Sequence, residues 1–125
     1  MGEKVKKYSS KSVKGKLDKL VGDYYRKQPC DCIRTIPNHT CAGRLEWTHL
    51  KTRAILKTRW MPENNFTLCS KAHFAFHQHP DLFITWVMKN WPGRIDKLNE
   101  ALKNLNTIKK SDLEELLTKL SQGLK

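Results

Sequence analysis

The sequence predicts a small α+β domain, and three observations lead there. RLEWTHL at residues 44–50 alternates apolar and polar side chains with the period of a half-buried strand. NFTL at 65–68 is a second strand-like run, followed at once by a segment of helical spacing. Leucines at helical intervals dominate both ends of the chain, giving the order helix, two short strands, then helices.

Each element has its own signal. In the segment 14–27, Leu17, Leu20, Val21 and Tyr24 fall on one helical face, and Pro29 stops the helix. CDCIRTIPNHTCA at 30–42 is turn-rich, with a reversal expected at Pro37-Asn38. The alternating strand follows, with Leu45, Trp47 and His49 on one face and Glu46 and Thr48 on the other. Residues 51–63 are expected to be a basic loop, and the helix after the second strand to begin near Cys69. DLFITWVMKNW is apolar nearly all round and is expected to be buried until Pro92-Gly93 breaks it. Ile95, Leu98, Leu102 and Leu105 mark a further helix. A capping box at Ser111–Glu114 opens the last, which carries Leu116, Leu117 and Leu120. The division expected is a basic flexible arm at 1–13 and one domain at 14–125. That domain has a core of about 30–80 and a helical extension at 81–125.

Composition narrows the function. The chain of 125 residues carries 24 Lys+Arg against 12 Asp+Glu, a formal net charge of +12. Such an excess suits a polyanionic partner, of which nucleic acid is the commonest, although a merely solvated surface has the same composition. The field is uneven. Residues 1–29 hold nine basic and three acidic side chains, whereas the stretch from Gly93 onward holds seven against five. No apolar run approaches a membrane span and no secretory signal opens the chain, so a soluble cytoplasmic protein with no membrane partner is expected. In that setting the four cysteines, Cys30, Cys32, Cys41 and Cys69, favour metal ligation or burial over disulfides.

The chemistry-bearing residues crowd into NNFTLCSKAHFAFHQH at 64–79. On a helix, His73 and His77 share a face one turn apart, where two imidazoles can grip one metal ion or simply sit beside a core. His49 at a strand end is a candidate general base, because imidazole ordinarily titrates near working pH. Its plain alternative is a satisfied core histidine. Asn65, by itself, reads as a turn former before a strand.

Taken in order, His49, Asn65 and His73 on a strand–loop–strand–helix unit resemble the HNH, or ββα-metal, nuclease motif. The chain is most similar to the NinG/Rap-like recombination nucleases of phages. The resemblance rests on a cysteine pair, Thr48-His49-Leu50, Thr58-Arg59-Trp60, Pro62-Glu63-Asn64-Asn65 and the helix start from Cys69 to His73. These span about half the chain, roughly 17–80. It implies a metal-dependent endonuclease hydrolysing DNA phosphodiester bonds in the cytoplasm of a bacterium or a phage-infected cell. His49 would be the base, Asn65 its support, and His73 and His77 the ligands of a divalent metal (Mn, Mg, Co or Ni). Arg53, Lys57 and Arg59 would contact DNA phosphates, and with one site per chain a double-strand cut would require two events or a homodimer.

Three positions depart from the motif. Thr48 stands where an acidic or imidazole ligand often precedes the base, and Ala72 where a second helix-start cysteine is expected. Cys30 and Cys32 are separated by one residue rather than two. Cys30, Cys32, Cys41 and Cys69 still suffice for a structural zinc. A zinc-supported nucleic-acid-binding protein without catalysis is the alternative function.

Overall fold

The computed structural model of the protein describes residues 11–36, 38–104 and 106–123. Most of the expected N-terminal arm, Pro37 of the expected reversal and Leu105 lie outside those residues. The domain is mixed α+β, as expected from the pattern of the chain.

Helix α1 spans Val13–Arg26 and starts where the Ser12 hydroxyl accepts the Gly15 N–H at 3.0 Å. A short helix α2, Cys32–Thr35, follows. Strand β1, Leu45–His49, pairs antiparallel with β2, Asn65–Cys69, in the register Trp47 to Thr67 and His49 to Asn65. Between them the expected basic loop is more ordered than its composition suggested. It holds the single turn α3, Leu56–Arg59, and a 3-10 turn at Pro62–Asn64. Helix α4, Ser70–Gln78, leaves β2 directly. The hairpin and α4 therefore run in the order strand, strand, helix.

The two-stranded sheet is covered on both faces, which is why all five residues of β2 are buried. On one side Trp47 joins Leu17, Val21, Trp60 and Leu113, uniting β1 with α1 and with α7, Lys110–Gly123. Gly22 makes this approach possible, since a Cβ there would lie 2.9 Å from the Trp47 ring. On the other side Phe66 and Leu68 meet Ala72 of α4 and Phe83, Trp86 and Val87 of α5, Pro80–Asn90. Helix α6, Arg94–Lys103, buries Leu98.

Two expectations need correction. Helix α5 is apolar all round in sequence, yet Leu82, Ile84 and Met88 are exposed, Met88 to 59%. A two-stranded sheet offers one face to cover on that side, so only the Phe83–Trp86–Val87 stripe finds neighbours. The start of α7 is also shifted. The helix begins at Lys110, and Asp112 reaches back to accept the Lys109 N–H at 2.9 Å, so the cap lies two residues before Ser111.

Candidate functional site

The hairpin and α4 bring three groups of side chains together. The first is a thiol cluster. Asp31 sits between Cys30 and Cys32 and pairs with the outer edge of β2. Its N–H donates to the Thr67 carbonyl at 2.8 Å and its carboxylate accepts the Thr67 N–H at 2.9 Å. That pairing lays both thiols beside Cys69, two residues beyond Thr67. Cys41 is brought in by the turn before β1, where the Ala42 and Arg44 carbonyls accept the N–H groups of Lys71 and Ser70.

The donor sulfurs of Cys30, Cys32, Cys41 and Cys69 all lie within 4.8 Å of one another. Cys41 Sγ is 3.5 Å from Cys30 and 3.3 Å from Cys32, and Cys32 is 3.7 Å from Cys69. Zinc bound at about 2.3 Å by four thiolates requires sulfur separations of about 3.8 Å, so the cluster has the size of a tetrahedral metal site. Cys30 and Cys32 touch, as in a disulfide. A disulfide between those two, however, gives Cys41 and Cys69 no reason to converge, whereas a shared cation gives all four one. The cluster can hold a metal ion. Burial pushes the Cys69 thiol up, but hydrogen bonds from the backbone of Ala72 and Ala42, the Cys41 thiol and the backbone of Lys71 outweigh it and hold Cys69 below the ordinary thiol value. The same sulfur caps α4 by accepting the Ala72 N–H at 3.4 Å. His39, which the sequence reading did not single out, brings Nε2 to 3.4 Å from Cys69 Sγ.

The second group surrounds His49. Its ring lies against Trp47, with centroids 4.5 Å apart, and its Nε2 is buried without a hydrogen-bond partner. Burial, then the charges of Arg53, Arg59 and His73, push its pKa down to about 2. His49 is therefore not poised near neutrality, as a free imidazole is, but stays neutral at every ordinary pH.

Two asparagines fix the loop beyond it. Asn64 holds the residues nearest His49: its carbonyl accepts the Leu50 N–H, and its Oδ1 accepts the Lys51 N–H at 2.5 Å. Its Nδ2 donates to the Lys51 and Thr58 carbonyls. Asn65, the residue singled out in the sequence, accepts the Trp47 indole N–H at 2.6 Å and donates to the Met61 and Arg59 carbonyls. Both clamp the loop; Asn64 clamps the part next to the imidazole.

Arg59 does not lie where its expected role requires. It is 1% exposed, and Asp18 of α1 takes it in a fork, Nε to Oδ1 at 2.9 Å and Nη2 to Oδ2 at 2.6 Å. Its Nη1 donates to the Arg53 carbonyl, while Asp18 also accepts the Trp60 indole N–H at 2.8 Å. A buried guanidinium so engaged ties α3 to α1 and offers no edge to a phosphate. Arg53 keeps 34% of its side chain exposed, 3.9 Å from Asp18, and Lys57 is half-buried on α3.

The third group is on α4. His73 and His77 stand one turn apart with ring centroids at 6.4 Å, and His77 is exposed. His73 Nδ1 lies 2.8 Å from Glu46 Oε1 of β1. Among the described residues no metal-sized set of three or more donors includes these histidines, so they form an open arrangement rather than a closed cage. Glu46 was missed in the sequence because it read only as the polar side of an alternating strand. No family model, no curated protein and no solved structure matches this chain. No helix among the described residues is long and apolar enough to cross a membrane.

Proposed function

We propose that the chain is a metal-dependent nuclease of the HNH type, hydrolysing phosphodiester bonds of DNA. The observation that carries this reading is the orphaned Nε2 of His49, at the end of a strand whose following loop is clamped by Asn64 and Asn65. A buried ring nitrogen without a partner in a structure otherwise rich in satisfied polar groups marks a place for a water or substrate oxygen. An imidazole held neutral is in the form a general base needs, the negative charge of a bound phosphate would restore the basicity that burial removes, and a rigid loop keeps the ring aimed.

His73 and His77 would hold a divalent cation through imidazole nitrogens, with open positions left for water and phosphate oxygens. Such an ion supplies charge neutralisation at the scissile phosphate and the departing oxygen. Arg53 and Lys57 would meet flanking phosphates and position the strand without reading its sequence. The four-thiolate cluster, most simply with zinc, would anchor the first turn of α4 and so fix where the histidines stand. The setting that fits is the cytoplasm of a bacterium or a phage-infected cell, with a homodimer where both strands are cut.

The test is nicking of supercoiled plasmid by purified full-length protein, with Mn²⁺, Mg²⁺ or Co²⁺ and with EDTA. Metal-dependent nicking that His49→Ala abolishes supports the reading. The four-thiol cluster, which needs no catalytic role, favours a second reading, a zinc-supported nucleic-acid-binding protein that does not hydrolyse its partner. DNA binding with no nicking under any metal would select it.

A further inference from the structure

We infer that Glu46 is a positioning residue for His73, fixing its imidazole with Nδ1–H toward β1 so that Nε2 is the atom offered to a divalent cation. The inference rests on the reading of the α4 histidines as metal ligands, and it names the group that prepares one of them. Glu46 and Thr48 occupy the face of β1 opposite Trp47 and His49, and α4 packs on that face through Ala72 and Phe76. Across the gap, His73 Nδ1 and Glu46 Oε1 are 2.8 Å apart, each side chain 34% exposed. A carboxylate has only acceptors, so the ring nitrogen facing it carries the proton. In the neutral imidazole the other nitrogen is then the one with a free lone pair.

That is the arrangement of a metal-ligating histidine with a carboxylate behind it, which sets the tautomer and orients the ring. Thr48, at the position where the motif often has a ligand, directs its hydroxyl to the Glu46 carbonyl. It brings no charge. The carboxylate that Thr48 lacks thus enters from two residues earlier on the same face, behind the histidine rather than beside it. His77 keeps the distance of one helical turn and, being exposed, is free to rotate toward a shared ion.

The experiment uses the full chain with its thiol cluster metal-loaded, and Mn²⁺ as the probe because thiolates are poor ligands for it. Long-range ¹H–¹⁵N spectra of the histidine rings at pH 8, without Mn²⁺, should show His73 as the Nδ1–H tautomer. Mn²⁺ affinity, read by the loss of free-ion paramagnetic resonance signal, should fall about 10- to 100-fold in Glu46→Ala. Glu46→Gln retains an acceptor oxygen, so it should keep the tautomer and most of the affinity. An Nε2–H tautomer in the unaltered protein with intact Mn²⁺ binding overturns this inference and leaves the nuclease reading standing. So does a Glu46→Gln variant that loses as much affinity as Glu46→Ala, which would make Glu46 a direct ligand. No Mn²⁺ binding by the unaltered protein overturns both.

Discussion

Asn64 and Lys51 close a ring of two hydrogen bonds: the Lys51 N–H donates to Asn64 Oδ1 at 2.5 Å, and Asn64 Nδ2 donates to the Lys51 carbonyl at 3.2 Å. Lys51 is two residues from His49, so the ring fixes the chain where it leaves β1. Asn64→Ala would strip three backbone polar groups, those of Lys51 half-buried and that of Thr58 buried, of their partners, at a cost of about 2–4 kcal/mol. Nicking should fall more steeply in Asn64→Ala than in Asn65→Ala, because Asn65 holds Trp47 and the distant end of the loop. Urea unfolding curves and nicking rates of both variants, compared at equal fractions folded, decide the order.

His49→Ala should remove nicking by about 10²–10⁴-fold while DNA affinity changes little, since a neutral imidazole contributes proton transfer and not charge. Full activity in that variant would exclude His49 as the base.

The same residue makes stability depend on pH. Its pKa in the folded protein is pushed down to about 2, against about 6.5 in the unfolded chain. As pH falls below about 6.5 the unfolded chain takes up a proton that the folded one refuses. His49 therefore costs nothing above pH 6.5 and destabilises progressively toward pH 2, by at most about 1.4 kcal/mol per pH unit. His49→Leu should lose less stability than the unaltered protein between pH 7 and pH 4.5. Parallel curves for the two proteins would place His49 in solvent instead.

The thiol cluster predicts about one zinc per chain surviving dialysis, and a sharp fall in Tm when a chelator strips it. A second measurement separates a shared ion from a disulfide. Alkylation of chelator-treated, denatured protein without reductant should modify all of Cys30, Cys32, Cys41 and Cys69. Modification of Cys41 and Cys69 alone would establish a Cys30–Cys32 disulfide.

The basic side chains should divide into two kinds. Neutralising Arg53 and Lys57 should weaken binding to all DNA sequences alike and reduce the salt dependence by about two phosphate contacts. Arg59→Ala should instead destabilise, on the order of 3 kcal/mol, by leaving the Asp18 carboxylate without its guanidinium. A Tm unchanged in Arg59→Ala, with weakened DNA binding, would return Arg59 to the phosphate contacts.

The periodic elements on either side of the site were legible in the sequence. The period-2 alternation of RLEWTHL specified β1, and the Leu17–Val21 spacing specified α1, because side-chain direction repeats with backbone geometry and needs no partner. The same local rule put His73 and His77 on one face of α4. The cysteine count named the thiol cluster, but its closure needed Asp31 to pair with Thr67 across the fold. Only tertiary structure could decide which polar residue met which. Arg59 and Arg53 are alike in a sequence, yet one is fully buried in a fork with Asp18, 41 residues away, and the other stays half-buried at 3.9 Å from the same carboxylate. Glu46 looked like solvent-facing strand until α4 folded over it and set His73 against its carboxylate. Asn64 and Asn65 are adjacent and chemically identical, so only the strand's alternation and the path of the loop sent one to Lys51 and the other to Trp47. Apolar content along α5 fixed a helix but not its burial, which depends on how much neighbouring surface a two-stranded sheet has to offer.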